Sequence, residues 1–154
     1  MDKSPNSSTV QKHPFRPVWL LVALLTGLCG IMLARSFIWH DIIPWRENYT
    51  TATREAQSRD VPRLLYFTAA YCEPCEVMGR TTWADQRVAD TLKNYVPVKI
   101  DFPSQGNLDA EFGVDGTPTL VVVDPRGHVL RAISGELNAD EFLHWLKDGQ
   151  IGFD

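Results

Sequence analysis

The chain has 154 residues, of which 44% are hydrophobic and 22% charged, so it has room for one ordinary domain and an appendage. This composition excludes a disordered acidic tail and a fibrous repeat, and three cysteines are too few for a small domain held together by disulfides. The net charge of −4 argues against a general nucleic-acid-binding protein, which needs a basic surface for phosphates. The charge is uneven, because residues 1–40 carry a net +3 and the remainder −7.

A long apolar run lies inside this basic leader. Residues 18–34 contain no charged side chain, and the run reaches 22 residues when it is continued past one arginine to residue 39. As a helix, 22 residues measure roughly 33 Å, which is enough to cross a hydrocarbon core of about 30 Å. Three tryptophans lie near its ends, as in an aromatic belt: Trp19, Trp39 and Trp45. The sequence therefore predicts a transmembrane anchor over 18–39, between a cytoplasmic tail over 1–17 and a linker over 40–46.

Basic residues precede the apolar run, and charges of both signs follow it. The positive-inside bias therefore predicts a single-pass protein of the cytoplasmic (inner) membrane, with the C-terminal domain facing the periplasm or the cell exterior. A cleaved signal peptide is the alternative, but the run is long for one and no small-x-small site follows it. The cysteine of a lipoprotein usually follows a small residue, whereas Cys29 follows the large Leu28. We therefore interpret Cys29 as a small apolar residue of the anchor.

Residues 47–154 alternate between polar helical stretches and short apolar runs, which indicates an α/β domain. Asp124 to Gly127 is typical turn chemistry, so the strands on either side of it are predicted to be antiparallel. Asp85 and Asn138 are the expected helix caps. The predicted elements are, in chain order, a helix over 47–60, a strand over 63–69, a helical stretch from the CEPC motif to about residue 93 with a break at 81–83, a strand over 96–101, a short helix over 108–112, strands over 119–123 and 128–134, and a helix over 139–148. This order predicts a mixed central sheet of about four strands with helices on both faces.

Two cysteines, Cys72 and Cys75, lie where the first predicted strand ends and a helix begins. Thiols at this spacing can close a small disulfide ring, and the unpaired N–H groups at the start of a helix stabilise a thiolate on the first of them. Cys72 is therefore the expected exposed nucleophile, and Cys75 is the expected resolving thiol. Pro74 lies in the first helical turn, where its missing N–H does no harm and its ring stiffens the loop.

The CxxC motif alone leaves metal binding and a structural disulfide open, because half of a zinc site has the same spacing. The chain has no second CxxC pair. Its four histidines, which are His13, His40, His128 and His144, show no ligand spacing, so no metal site is predicted. A ring this small restricts the unfolded chain little, which disfavours a purely structural disulfide. Pro118 starts the third predicted strand, where a proline is usually cis. Together with the strand–CxPC–helix context, it favours redox chemistry.

With these features, residues 47–150 resemble the thioredoxin superfamily, through CxPC after a strand, GTPT before TLVVV and the hairpin DPRGHVL. Within it, WADQRVADTLKNYVPVKID and ISGELNADEFLHWL are similar to the outer thioredoxin-like domain of DsbD-type thiol:disulfide interchange reductases. The resemblance implies attack by Cys72, resolution by Cys75, and a substrate groove shaped by Pro118. The backbone of Thr117 would hydrogen-bond an extended substrate segment. Three further residues complete the expected groove: Tyr71, Glu73 and Pro74.

Three positions depart from the family pattern. Tyr71 stands where a tryptophan commonly precedes the first cysteine, and it keeps an aromatic wall. Tyr66 stands where many members bury an acid that moves protons for the second thiol, so the proton acceptor for Cys75 is left unassigned. Glu76 stands where lysine is frequent, and with Glu73 it brings two negative charges near the thiols, which disfavours the thiolate. These acids predict a reductant rather than a strong oxidant.

The sequence thus predicts a membrane-anchored thiol:disulfide oxidoreductase that reduces disulfides of periplasmic proteins and uses no cofactor. The Cys72–Cys75 disulfide has to be re-reduced, and one span cannot carry electrons across a membrane, so a transmembrane electron donor is the expected second partner. Two redox alternatives are a disulfide oxidase and a cytochrome c maturation thioredoxin. Alternatives from other classes are a non-catalytic anchored binding module and a metal-delivery protein that uses the CxxC pair.

Overall fold

The computed structural model describes residues 19–28, 41–104 and 106–148 of a chain that divides into two compact units, 1–38 and 39–154. In the first unit, residues 19–28 form helix α1, whose side chains are exposed. Among the described residues, no helix has both the length and the apolar character needed to span a bilayer. The predicted tail and most of the predicted anchor, including Cys29, lie outside the described residues, so both stay predictions.

The second unit contains five helices and four strands among its described residues. These elements are α2 (Tyr49–Arg59), β1 (Arg63–Thr68), α3 (Glu73–Arg80), α4 (Gln86–Leu92), β2 (Val96–Asp101), α5 (Leu108–Glu111), β3 (Thr119–Val123), β4 (Val129–Ser134) and α6 (Ala139–Asp148). The bounds of β2, β3 and α6 agree with the prediction, and the break between α3 and α4 is confirmed. Most other predicted elements run one or two residues too long at an end, where cap and turn residues begin or end the regular structure.

The four strands form one mixed sheet in the order β2-β1-β3-β4. Strand β1 is parallel to β2 and antiparallel to β3. Strand β3 is antiparallel to β4, as predicted. Both central strands are buried along their whole length, because helices cover the two faces of the sheet. The predicted mixed sheet with helices on both faces is therefore confirmed.

Alternate residues of β1 and β3 belong to two separate apolar layers, as the two-residue period of a strand requires. On one face, Leu64 and Tyr66 pack with buried residues of α3, α4 and α6. On the other face, Leu65 and Phe67 pack with buried alanines of α2. Trp83 is the largest fully buried side chain of the first layer, and its ring contacts three other aromatic rings: Trp45, Tyr66 and Phe142.

Side-chain caps fix the helix starts that the sequence predicts. Asp85 accepts a hydrogen bond from the backbone N–H of Arg87 at 2.8 Å and begins α4. Asn138 accepts bonds from two backbone N–H groups of α6, and the Glu141 carboxylate accepts a bond from the Asn138 N–H at 2.8 Å. This reciprocal pair is a capping box, which stabilises the start of α6.

Residues 41–46, predicted to be a linker, pack against the domain. Ile43 is buried in the apolar layer that contains Trp83, and the Ile42 N–H donates to the Trp83 carbonyl at 2.9 Å. Arg46 forms a parallel bridge with Val98 of β2. The sequence assigned Trp45 to a membrane aromatic belt, and this is wrong, because its ring packs against the rings of Tyr66 and Trp83 inside the domain. Apolar contacts to a folded core stabilise such a segment even where no helix or strand period marks it.

The β3–β4 turn carries a pH-dependent contribution to stability. Asp124 Oδ1 accepts bonds from the N–H groups of Arg126 and His128 at 2.8 Å each, and Oδ2 lies 2.9 Å from His128 Nδ1. The bond with the His128 side chain is the largest cause that lowers the pKa of Asp124, from 3.8 to about 2. A depressed carboxylate pKa stabilises the fold above the unfolded-state value, and this contribution is lost as the pH falls toward the folded-state value.

We therefore expect Asp124→Asn to lower the free energy of unfolding at neutral pH, and the difference from the wild type to shrink as the pH falls from about 6 to about 2. Urea unfolding of the full chain at several pH values measures this difference. Asp115→Asn, which changes an exposed aspartate outside the turn, is the matched control. A difference that stays constant over this pH range would contradict the role of the Asp124 charge.

Candidate active site

The CEPC motif connects the end of β1 to the start of α3. Cys72 is the N-cap of α3, with an extended backbone conformation, and Cys75 lies in the first turn of that helix. The two cysteines form a disulfide with their Cα atoms 5.2 Å apart. Because β1 is fully buried, it fixes the position from which the motif leaves the sheet. The strand–CxPC–helix arrangement inferred from the sequence is therefore present.

The sulfur of Cys72 lies at the N-terminus of α3. Its Sγ accepts a hydrogen bond from the Cys75 backbone N–H at 3.2 Å. Donors at a helix N-terminus stabilise negative charge, so a thiolate formed on Cys72 would be favoured at this position. Two acids lie in the same helical turn, Glu73 and Glu76, and both are exposed. The ion pair of Glu76 with Arg80 has a separation of 3.5 Å between exposed groups, so it leaves the acid well hydrated.

Both cysteines are buried in the disulfide-bonded state, each with 6% of its surface exposed. The expectation of an exposed Cys72 is therefore wrong for this state. Its sulfur is bonded to Cys75 and turned toward the helix start, which covers most of the atom. Tyr71 beside it is instead fully exposed.

The predicted groove residues Thr117 and Pro118 lie at the end of the sheet where β1 leads into the CEPC motif. In the antiparallel pair, Phe67 of β1 lies opposite Thr119 of β3, so the start of β3 and the end of β1 are neighbours. Pro118 directly precedes β3 and is buried, and the Thr117–Pro118 peptide bond is cis, as predicted. Thr117 is half-buried. The strand register thus brings the Thr117–Pro118 segment to the end of the sheet from which the CEPC motif departs.

Two hydrogen bonds hold the backbone on either side of this segment. The Pro118 carbonyl accepts a bond from the Gly135 N–H at 2.8 Å, and the Thr119 hydroxyl donates to the Gly116 carbonyl at 2.8 Å. Glu73 and Pro74 are exposed in the first turn of α3.

A second cis bond, Phe102–Pro103, lies after β2 and was not predicted. Nothing in the local sequence distinguishes this proline, because the cis state of an X-Pro bond depends on its tertiary surroundings.

A cavity of about 410 Å³ opens beside Cys75. Its lining contains residues from the 41–46 segment, β1, α3 and β2: Asp41, Tyr66, Thr68, Ala69, Cys75, Glu76, Gly79, Arg80, Trp83 and Lys99. The Tyr66 hydroxyl donates a bond to the Cys75 carbonyl at 3.4 Å. Burial is the largest cause that raises the pKa of Tyr66 above 10, so this phenol keeps its proton at neutral pH.

Asp41 is a carboxylate of this lining that the sequence did not place at the site. Its carboxylate accepts bonds from the Ile43 N–H at 3.0 Å and from Trp45 Nε1 at 2.6 Å. Burial is the largest cause of the raised pKa of Asp41, and these two bonds and the Lys99 charge oppose it. The available signal was Ile43 and Trp45, two apolar residues in a segment that would otherwise be expected to be polar.

Among residues 19–28, 41–104 and 106–148, no group of three or more His, Cys, Asp and Glu side chains is arranged to hold a metal ion. The chemistry that the described site offers is that of a dithiol. In the reduced state it has one sulfur at a helix N-terminus and a second sulfur, one helical turn away, beside a cavity with polar groups.

Comparisons with known proteins agree with this geometry. A family model described as a thioredoxin-like domain matches residues 49–150. A thiol:disulfide interchange protein DsbD from Campylobacter jejuni is 31% identical over 100 residues, which cover 62% of this chain and 18% of that protein. The chain therefore spans less than a fifth of the length of this relative.

Solved structures also match the chain with a thioredoxin fold. A thioredoxin from Thermus thermophilus matches with a TM-score of 0.61 and 25% identity, over 68% of this chain and 85% of the other. The oxidised DsbD C-terminal domain of Neisseria meningitidis matches with a TM-score of 0.55, over 66% of this chain and 91% of the other, and at 22% identity it supports the fold alone. The chain therefore belongs to the thioredoxin-like domain family, and its domain is a thioredoxin-like thiol:disulfide oxidoreductase that is similar to part of DsbD.

Proposed function

We propose that the domain reduces disulfides of other proteins by a two-step exchange. The observation that carries this proposal is the position of the Cys72 sulfur at the N-terminus of α3, where it accepts a hydrogen bond from the Cys75 N–H. In the first step the Cys72 thiolate attacks one sulfur of a substrate disulfide, and the other substrate sulfur leaves as a thiolate that takes up a proton. In the second step Cys75 attacks the Cys72 sulfur of the mixed disulfide, and the second substrate thiolate leaves. Two electrons and two protons pass from the dithiol to the substrate.

Substrate binding is proposed to use the Thr117–Pro118 segment. The segment lies at the end of the sheet from which the CEPC motif leaves, and this position supports the role. The amide and carbonyl of Thr117 form no hydrogen bond with the described residues, so an extended substrate segment can pair with them by strand addition. Exposed Tyr71 and Pro74 would contact the same substrate segment from the other side of the disulfide.

The reducing direction is supported by the acids of α3. A strong oxidant stabilises its reduced state through a very low thiol pKa. Glu73 and Glu76 place negative charge in the first helical turn, where it opposes the effect of the N–H donors on the thiolate. Both acids are exposed and therefore screened, so their effect on the potential is small, but its sign favours a reductant.

The cellular setting is also a proposal. The apolar run at 18–39 supports anchoring in the cytoplasmic membrane, with the domain on the periplasmic or outer side. A transmembrane electron donor would then re-reduce the Cys72–Cys75 disulfide, and the tether would raise the effective concentration of the domain near that donor. The printed name of the Campylobacter relative, a thiol:disulfide interchange protein, supports disulfide-bearing partners.

The equilibrium potential of the Cys72–Cys75 pair tests the direction. The full chain carrying Cys29→Ser, which leaves one titratable pair, is equilibrated with glutathione or dithiothreitol buffers and the thiols are counted. We expect a potential near that of thioredoxin, about −270 mV. A value above about −180 mV would contradict the reductase proposal and favour an oxidase. A pair that never forms the disulfide would contradict both redox functions and favour metal or partner binding.

A further inference from the structure

We propose that Asp41 accepts the proton of Cys75 through the cavity that the two residues share, so that a segment outside the thioredoxin-type sheet supplies the base for the second exchange step. This inference rests on the proposed function, because it concerns the step in which Cys75 resolves the mixed disulfide. Asp41 lies 34 positions from Cys75 in the sequence, and no motif connects them.

The second step requires a proton acceptor near Cys75. Only the thiolate is the nucleophile in disulfide exchange, and an apolar environment raises the pKa of a buried thiol. Cys75 is only 6% exposed and packs in the same apolar layer as Met78 and Trp83. Cys75 contributes to the lining of the cavity, which is therefore the route that we assign to its proton.

The cavity offers few candidates for this acceptor. Five side chains of its described lining are titratable besides Cys75: Asp41, Tyr66, Glu76, Arg80 and Lys99. Arg80 and Lys99 are cationic side chains, which offer hydrogen-bond donors and no acceptor. Burial keeps Tyr66 protonated by raising its pKa. Two carboxylates remain, Asp41 and Glu76.

The surroundings of these carboxylates favour Asp41. The Glu76 side chain is 63% exposed and pairs loosely with Arg80, so it behaves as a hydrated surface acid. Asp41 is instead held in place, since its two oxygens accept bonds from the Ile43 N–H and from Trp45 Nε1. The Trp45 ring in turn stacks on the Tyr66 ring at 5.3 Å between centroids.

Tyr66 completes the connection to the motif. Its hydroxyl donates to the Cys75 carbonyl, and its ring contacts both Trp45 and Trp83. The Asp41 charge also contributes, as the smallest cause, to the raised pKa of Tyr66. Asp41, Tyr66 and Cys75 therefore lie around one cavity, which is wide enough for a water molecule to carry the proton.

The electrostatics of Asp41 suit a base at neutral pH. Burial raises its pKa, which makes the carboxylate a better proton acceptor than a solvated aspartate. The bonds from the Ile43 N–H and Trp45 Nε1, and then the Lys99 charge, oppose this rise. The charged and titratable groups that face Asp41 across the cavity are thus Tyr66, Glu76, Arg80 and Lys99.

The proposed step balances without an external reactant. The proton of Cys75 Sγ moves to the Asp41 carboxylate, directly or through one water molecule. Cys75 Sγ then forms a bond to Cys72 Sγ, while the bond between Cys72 Sγ and the substrate sulfur breaks. The leaving thiolate takes up a proton from solvent, and Asp41 returns its proton to solvent.

The test separates the two exchange steps. The reduced full chain, with Cys29→Ser in every variant, is mixed with glutathione disulfide, and acid-quenched samples are analysed by mass spectrometry. The first step gives the mixed disulfide with glutathione, and the second step removes it. Asp41→Asn keeps the size of the side chain, and Glu76→Gln is the matched control, since it removes a carboxylate from the same cavity.

We expect Asp41→Asn to slow the second step about a hundredfold at neutral pH, and to leave the first step within about twofold. In the wild type the second step should also slow as the pH falls, with an acid limb whose inflection marks the protonation of Asp41. Asp41→Asn should lack this inflection, and its rate should instead fall in proportion to the Cys75 thiolate. Glu76→Gln should retain both the rate and the acid limb. An unchanged second step in Asp41→Asn, or an equal loss in Glu76→Gln, would overturn the assignment. Absence of the mixed disulfide in the wild type would instead overturn the proposed function.

A second measurement covers the case in which Asp41→Asn does not fold. In the Cys72→Ala chain, the ultraviolet absorbance of the Cys75 thiolate is followed against pH. If Asp41 and Cys75 interact, the thiolate should appear over two coupled inflections, one of them in the acidic range. A single inflection near the value of an isolated buried thiol would overturn the assignment.

Discussion

Replacement of Cys72 by serine is expected to lower the rate of disulfide reduction by roughly a thousandfold or more, because no other described sulfur lies at the N-terminus of α3. Cys75→Ser should also stop turnover, but at a later stage. Cys72 would still attack, and the mixed disulfide with the substrate would accumulate, because the thiol that resolves it is missing. The measurement is insulin reduction together with non-reducing electrophoresis of the reaction mixture.

Cys29→Ser is the matched control for these two variants, since it removes the third cysteine of the chain. We expect it to retain the rate of the wild type. Equal trapping of substrate by Cys72→Ser and Cys75→Ser would contradict the assignment of the two roles. Full activity of Cys72→Ser would contradict the redox mechanism itself and would favour a domain that only binds its partners.

Truncation of Trp83 should have the largest effect on stability among single core substitutions. Its side chain is fully buried, and its ring packs against those of Trp45, Tyr66 and Phe142 at 5.1 Å between centroids in each case. Trp83→Ala would leave a cavity where the 41–46 segment, β1 and α6 meet. We expect the free energy of unfolding to fall by about 3–5 kcal/mol, measured by urea denaturation of the full chain.

Tyr71→Ala provides the matched aromatic truncation, because the Tyr71 side chain is fully exposed. Its effect on the free energy of unfolding should stay within about 0.5 kcal/mol. If Trp83→Ala cost no more than Tyr71→Ala, the aromatic cluster would not be the centre of this apolar layer. A change in the denaturant slope would indicate that the denatured or native state had changed its compactness.

The sheet was predictable from the sequence because its strands have strong local signals. Strands β2 and β3 are short apolar runs between turn residues, and their predicted bounds agree with the structure. The capping residues Asp85 and Asn138 were found for the same reason, since a side-chain cap is a local interaction. Cys72, Cys75 and Pro118 were found because their residue types carry the chemistry or the backbone geometry.

The surroundings of the dithiol were less predictable, because they depend on long-range packing. Residues 41–46 have neither a helical nor a strand period, and Trp45 follows an apolar run closely enough to be taken for a membrane anchor residue. Only the folded chain brings Asp41 to the cavity beside Cys75. The exposure of Cys72 was overestimated for a related reason, since the sequence does not reveal how far the disulfide turns its sulfur inward.

The packing of residues 41–46 also determines how much of the chain forms one excisable unit. A fragment that begins at residue 47, where the sequence suggests that the domain starts, would lack the Ile43 side chain of the apolar layer and the Arg46 bridge to Val98. It would also open one wall of the aromatic cluster at Trp45. Any cleavage that releases the domain intact, by a protease or in the laboratory, therefore has to fall on the N-terminal side of Asp41.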